Sequence, residues 1–463
     1  MKRGFLQHPQ ASNGSSSSTV SKKATYGPHT ALVSESYANR EMFKKAEMID
    51  NQPAIRSSYG VLDNASRLPK DHDIGEFKYE VLNGATDHSD NMLVMTRIPN
   101  TSMNATPADV PGGWSECLVT GSAKRSILRT PGFPHALPSP ALPVAYRVAP
   151  TPNKGLGVFA TRAIRLGELI VSERPLIISP AGMDLATDCP DDFTDEQVKQ
   201  ASLAQREKMM EVLVHTRMHP ERREAYLALC NSHLHDGSGP LMGIMRTNGF
   251  GVDIEADKGI WGTYSGVFDH LSRVNHSCSP NTIRTWRDES LSMQLFATRD
   301  IAKDEEITCE YCDLLEPASA RQKVLAPYDV VCTCNACRFP GVSDLRRKEI
   351  KDFKPPALSE IFPWAMNPAL PDDHLLKPLL RCAELIRQEG LEAAEQKDVS
   401  ILLPMLMCYV VLGDEAKAKA LQEKINLNDI SENRKVKDDD PTSLKALKKG
   451  PLWALRKRMH ARR

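Results

Sequence analysis

Residues 273–281 read RVNHSCSPN. Asn275, His276 and Asn281 carry side chains that bond readily to backbone groups, and Pro280 fixes a turn. Read alone, His276 is a buried hydrogen-bonding residue in preference to a metal ligand or a base. The stretch gains its meaning from three others: NKGLGVFATR at 153–162, EEITCEY at 305–311 and CTCNAC at 332–337.

In CTCNAC, gaps of one and two residues let a turn aim the thiolates of Cys332, Cys334 and Cys337 at one ion, with the softness and tetrahedral geometry that zinc favours. Cys278, Cys309 and Cys312 compete for the fourth position. Period two places Ile307, Cys309 and Tyr311 on one strand face, which suits Cys309 to a core and makes Cys278 the preferred ligand. A site of four cysteines is closed and structural. The competing reading is three reduced cysteines in a loop. Gly155 and Gly157 permit a tight turn or a close backbone approach, but no GxGxxG continues into a helix, so a dinucleotide fold does not follow. The phenol of Tyr311 can hold a polar substrate atom in a narrow pocket. It reads equally as an ordinary strand aromatic.

Around these segments the chain of 463 residues has room for two or three globular units. Lys and Arg total 59 and Asp and Glu total 59, so overall charge calls for neither a nucleic-acid nor an anionic-membrane partner. With 41% hydrophobic and 25% charged residues, collagen, coiled-coil and wholly disordered classes are excluded. No apolar run is long enough to span a membrane, and MKRGFLQHPQASNGSSSS lacks the apolar stretch of a secretory signal. The expected location is the nucleus, the cytoplasm or both. The first 34 residues are acid-free and rich in serine, as in a mitochondrial transit peptide, but show no amphipathic arginine-bearing helix. Eleven cysteines in a reducing compartment point to metal or catalytic use before disulfides.

Residues 1–140, rich in Ser, Asn, Pro and Gly, read as disordered and end in a proline-rich linker; the short patches at Tyr79–Leu82 and Met92–Ile98 read as incidental in preference to docking segments. From 141 to 331, short β-branched runs punctuated by glycine predict a β-rich unit with a helical insert at about 190–245, opened by the capping box of Thr194 and Gln197. A second insert helix is expected over Arg222–Cys230. Residues 332–341 form the cysteine segment. Residues 342–463 carry apolar residues at three- and four-residue steps, with Gly390 and Gly413 as helix stops and a basic tail read as a solvated helix end. One stretch there, YVVLGDEAKAKA, resembles a single tetratricopeptide repeat.

Taken together and in this order, the four segments resemble the SET domain of protein lysine methyltransferases over roughly Val144–Gly341. The chain is most similar to the SET-and-MYND group and to its fungal relatives that lack the MYND finger; between Pro175 and Thr247 only Cys189 and Cys230 occur, too few for that zinc module. The resemblance implies an α+β fold of small sheets with a pseudoknot, in which the NHSC segment threads a loop near the EEIT strand. It implies that Asn153, Lys154, Gly155 and Gly157, with Asn275 and His276, embrace S-adenosyl-L-methionine, and that Asn248, in the TNGFGVD strand, matches a further cofactor contact. Tyr311 matches the active-site tyrosine at the mouth of the lysine channel. Cys278, Cys332, Cys334 and Cys337 match the post-SET zinc cluster. Phe268 stands where the group usually has tyrosine, and Val330 replaces an aromatic ahead of the cysteines.

The expected function is S-adenosylmethionine-dependent methylation of a histone or other protein lysine. A catalytically weak scaffold that assembles protein partners through the C-terminal helices is the alternative. A zinc-dependent nucleic-acid module has little support, given one metal site and few aromatics near basic clusters.

Overall fold

A computed structural model describes residues 88–461 apart from 103, 139–142, 153, 182–188, 255–263, 393–399 and 432–442, together with short pieces at 48–49, 52–53, 67–69, 71–74 and 80–81. The serine run at 15–18, the first 34 residues and Asn153 lie outside the described residues.

Where the sequence suggests disorder, residues 93–129 instead form strands β1 (Leu93–Ile98) and β2 (Ser115–Thr120) and helix α1 (Gly121–Arg129), and every residue of both strands is buried. The Met92–Ile98 patch is thus a core strand. The polar residues that disguise the strands answer one another across the ladder. Arg97 lies opposite Glu116 in register, with Nε 2.6 Å from the carboxylate, and the other Glu116 oxygen lies 3.5 Å from Arg217, at the end of the Val212–Arg217 stretch that follows the first insert helix. The Trp114 ring lies between the guanidinium groups of Arg97 and Arg222 at 5.1 and 5.3 Å. Removing one member of a buried ion pair leaves a charge without compensation, at about 3–5 kcal/mol. Glu116→Ala is therefore expected to lose about that much stability, read as a lower urea midpoint at unchanged slope; a loss below ~1 kcal/mol would refute the clamp.

The remaining strands are β3 (Tyr146–Thr151), β4 (Gly155–Ala160), β5 (Leu169–Glu173), β6 (Ile177–Pro180), β7 (Phe250–Val252), β8 (Tyr264–Val267), β9 (Asn275–His276), β10 (Thr282–Arg287), β11 (Ser292–Ala297) and β12 (Glu306–Cys309). They make three small sheets. One runs β7-β8-β6-β2-β1 and ends at Glu80–Val81, the second runs β9-β12-β4-β3, and the third runs β10-β11-β5. Strand β2 pairs parallel to β6 through Glu116 and Cys117 opposite Ile177 and Ile178, so the early strands belong to the same sheet as the later ones.

The insert consists of α2 (Asp195–Glu211), α3 (Pro220–Leu227) and α4 (Pro240–Asn248). Thr194 caps α2 in a full capping box with Gln197, a feature worth about 1 kcal/mol. Helices α2 and α4 pack Met209, Met210, Leu241 and Met245 against Leu93 and Met95 of β1. The fold class is α+β, as expected.

Beyond the cysteines lie α6 (Pro340–Asp352), α7 (Leu358–Met366), α8 (Leu376–Glu389), α9 (Leu402–Leu412), α10 (Glu415–Ser431), α11 (Leu444–Lys449) and α12 (Leu455–His460); α5 (Ala318–Leu325) precedes them. Gly390 and Gly413 end α8 and α9 in left-handed conformation (φ 60° and 65°), which glycine adopts without a Cβ clash. Trp364, Leu379, Leu385, Leu406 and Val410 form the core of this region. The tail departs from a solvated helix end. Arg456 in α12 is buried, lies 5.0 Å over the Trp364 ring, and donates to the carbonyls of Trp364, Asn367 and Leu370 at and just beyond the last turn of α7.

Candidate active site

The hairpin of β3 and β4 turns tightly at Gly155, whose φ of 68° favours glycine. Gly157 meets a different demand. A Cβ there would lie 2.6 Å from Thr151 Cγ2 and 3.0 Å from both Asn275 Nδ2 and Glu306 Oε1. Strand β9 lies parallel to β12, with Asn275 opposite Thr308 and His276 opposite Cys309. Asn275 Nδ2 donates to Glu306 Oε1 at 2.6 Å and to the Leu156 carbonyl at 3.3 Å, while Lys154 Nζ lies 3.5 Å from Glu306 Oε2. Lys154, Gly157 and Asn275 are thus gathered, beside the turn at Gly155, around a carboxylate that the motif reading left without a role. Period two carried the signal: Glu306 and Thr308 lie on the opposite sheet face from Ile307 and Cys309.

His276 is buried, which pushes its imidazole down to about 4, so the ring is neutral near pH 7. Nδ1 accepts the backbone N–H of Tyr311 at 3.1 Å, and Nε2 lies 3.2 Å from Cys278 Sγ. The ring therefore serves protein structure, as the residue read alone suggested.

Tyr311 stands two residues beyond β12, half-buried, with its ring centroid 5.3 Å from that of His276. Its hydroxyl donates to the Val274 carbonyl at 2.8 Å. The ring packs against the cluster holding Phe250, Phe268, Leu271 and Val274, in which Phe268 is fully buried and meets Phe250 edge-on at 5.8 Å. Without a hydroxyl, Phe268 leaves that wall apolar.

Asn248 is the last residue of α4 and not a strand residue. Its Nδ2 donates to the Cys230 and Ile244 carbonyls, and its own carbonyl accepts from Ser272 Oγ at 3.0 Å. It fastens the insert to the turn ahead of Asn275. Glu173 was missed by the motif reading and acts on the same turn. Its carboxylate receives the backbone N–H groups of Asp269, His270 and Leu271 at 2.7–3.2 Å, and nothing in its local spacing announced this. Tyr328 is buried at the end of a 3-10 turn whose Pro327 carbonyl accepts from Ser232, itself bonded to Thr247. Val330, expected in place of an aromatic, is half-buried and gives its carbonyl to Gln322 at 2.7 Å.

Cys278, Cys332, Cys334 and Cys337 bring their sulfurs within 4.8 Å of one another, with Cys278 3.8 Å from Cys332 and 3.5 Å from Cys337. A tetrahedral zinc with bonds of about 2.3 Å sets its sulfurs ~3.8 Å apart, so the donor set fits that ion. Hydrogen bonding among the sulfurs holds Cys334 well below the usual thiol range and raises Cys278 and Cys332, so the cluster favours one thiolate beside protonated neighbours. Of the three candidates for the fourth position, Cys278 is the one whose sulfur joins this set. Cys309 is buried in the core with Ile307, and Cys312 lies near Cys278 and His276 but outside the set of four. Buried Arg321 lies 3.7 Å from Cys337 Sγ, and Ser279, next to Cys278, donates to the Glu389 carbonyl at 2.6 Å, which docks α8 beside the cluster.

Known proteins resemble the chain over the same region. Residues 155–312 match the family model of the SET domain. The chain is 32% identical over 211 residues to the histone-lysine N-methyltransferase set5 of Schizosaccharomyces pombe, covering 44% of this chain and 56% of that protein. It is 29% identical over 117 residues to human N-lysine methyltransferase SMYD2, covering 25% and 26%. Similarity to the histone-lysine N-methyltransferase ATXR2 of Arabidopsis thaliana reaches 41% over 75 residues, 16% of each chain. The chain thus spans about half the length of the first of these relatives and less of the others. Among the described residues, no helix is long and apolar enough to cross a membrane.

Proposed function

We propose that this chain, which carries a SET domain related to those of fungal set5 and the SMYD proteins, is an S-adenosylmethionine-dependent protein lysine N-methyltransferase. The substrate is a lysine of a histone or of another protein, met in the nucleus or cytoplasm. The reading rests on one observation: Asn275, bonded into the glycine hairpin, directly follows Val274, whose carbonyl anchors the Tyr311 hydroxyl, so the two assigned groups meet at the start of the same short strand.

When bound, the cofactor supplies a methyl group on a positively charged sulfur. Lys154, Gly155, Gly157 and Asn275, with Asn153, are its assigned holders, and His276 and Asn248 complete the assignment through backbone groups. Phe250, Phe268 and Leu271 desolvate an incoming lysine amine, which favours its neutral, nucleophilic form. Tyr311 holds its oxygen in a fixed place by donating to Val274, so its lone pairs remain to accept weak C–H contacts. No dedicated base is required, and His276 does not act as one, because Nδ1 is taken by the Tyr311 N–H and Nε2 faces a sulfur. The four cysteines would hold structural zinc, and bound there it would supply a cross-link between the Cys278 strand and the 332–337 segment. The C-terminal helices offer surface for protein partners.

The direct test incubates the protein with cofactor labelled on its methyl group and a cell extract, followed by hydrolysis of labelled proteins. Labelled methyl-lysine is the expected product. No labelled protein under any condition would leave the scaffold reading in its place. A second test addresses the hairpin. Gly157→Ala should weaken binding of S-adenosylhomocysteine by at least ~10-fold, about 1.4 kcal/mol, measured by calorimetry, since the added methyl occupies the space beside Asn275. Unchanged affinity would remove Gly157 from the site.

A further inference from the structure

The most informative contact outside the assigned roles joins the sulfur cluster to Tyr311. A backbone N–H can only donate, so Nδ1 of His276, facing that of Tyr311, is the acceptor. A neutral imidazole then carries its proton on Nε2, which faces Cys278 Sγ. The same tautomer excludes His276 as a ligand through Nε2, although that nitrogen lies within 4.8 Å of the sulfurs of Cys278 and Cys312. Its partner is a sulfur whose charge depends on metal. A metal-bound thiolate accepts a stronger hydrogen bond than a thiol, and donors of this kind orient metal sites from outside the ligand shell.

The position of Tyr311 makes the contact consequential. The ladder between β9 and β12 ends at His276 and Cys309, and the last backbone bond along it runs from the Ser277 N–H to the Cys309 carbonyl. Two residues farther on, Tyr311 is held at its backbone N–H by the His276 ring and at its hydroxyl by the Val274 carbonyl. A side chain therefore takes over where the ladder stops.

We propose that His276 is a positioning residue that transmits occupancy of the four-cysteine site to Tyr311, through the path Cys278 Sγ, Nε2–H, Nδ1 and the Tyr311 N–H. The inference rests on the reading of Tyr311 as the active-site tyrosine and of the cluster as a zinc site. It goes beyond that reading in making zinc adjust the catalytic side chain directly, in addition to ordering the segment around it. A Gln at 276 offers one acceptor and one donor group and can bridge the same two partners; a Leu offers neither.

The test places 3-fluorotyrosine at position 311 of the full chain and records its fluorine resonance in zinc-loaded, cadmium-exchanged and chelator-treated protein. In the wild type the resonance should move on cadmium exchange, which keeps the site filled, and move farther on chelation. His276→Leu should abolish the cadmium response while retaining one equivalent of metal, and His276→Gln should restore it. A wild-type resonance indifferent to the metal, failure of the protein to retain metal, or a His276→Leu protein that responds like the wild type would each overturn the proposal. If His276→Leu does not fold, the wild-type and His276→Gln responses decide: both must be present. The methylation assay reports separately, so a metal-dependent resonance without methyl transfer would sink the enzymatic reading and leave the coupling standing.

Discussion

Tyr311→Phe is expected to fold, to bind S-adenosylhomocysteine with unchanged affinity, and to transfer methyl groups at least ~100-fold more slowly. The ring keeps its place because its packing is apolar, against Val274, Leu271 and Phe268. What disappears is one oxygen and its bond to the Val274 carbonyl. The abandoned carbonyl costs about 1–3 kcal/mol if it stays buried without a partner, a fraction of the stability of a domain. Turnover suffers far more, since mispositioning by about 1 Å can cost ~100-fold in rate. Initial rates, a thermal melt and calorimetry on one preparation separate the effects. Turnover within about twofold of wild type would remove Tyr311 from the chemistry.

Cys334→Ser should lose zinc and cofactor binding together. Serine keeps the volume but offers no thiolate to the set of four sulfurs. Structural zinc sites of this type contribute on the order of 10–16 kcal/mol of apparent binding free energy, which becomes folding free energy of the segments they join. Those segments include Cys278, three residues after Asn275, so loss of the ion loosens the strand that borders the glycine hairpin. Metal analysis after gel filtration should fall from one equivalent toward zero, with cofactor affinity reduced ~10–100-fold. Retention of both would sink the staple argument.

The parts of the site legible in the sequence were those whose chemistry is local. Three cysteines at short spacing, a glycine pair and the NHSC string announce themselves without partners. Partnership across the fold hid the rest. Glu306 and Glu173 read as ordinary strand residues because their partners, Asn275 and the Asp269–Leu271 N–H groups, lie about 30 and 96–98 residues away. The strands at 93–98 and 115–120 carry Arg97 and Glu116, which spoil the apolar pattern until the two are placed opposite each other. Arg456 likewise reads as part of a solvated basic tail until it enters the end of α7. Asn248 fell in a helix where a strand was expected, since TNGFGVD straddles the junction of α4 and β7.

The pairing of β2 with β6 bears on how this protein can be divided. The family match begins at Gly155, yet β6 within it takes a neighbour from residues 116–117. A fragment cut at the match would bare the β6 edge and Ile177, inviting the edge-to-edge association that unpaired strands promote. Homology and foldability therefore draw different borders in this chain, and the smallest piece worth expressing starts before β1.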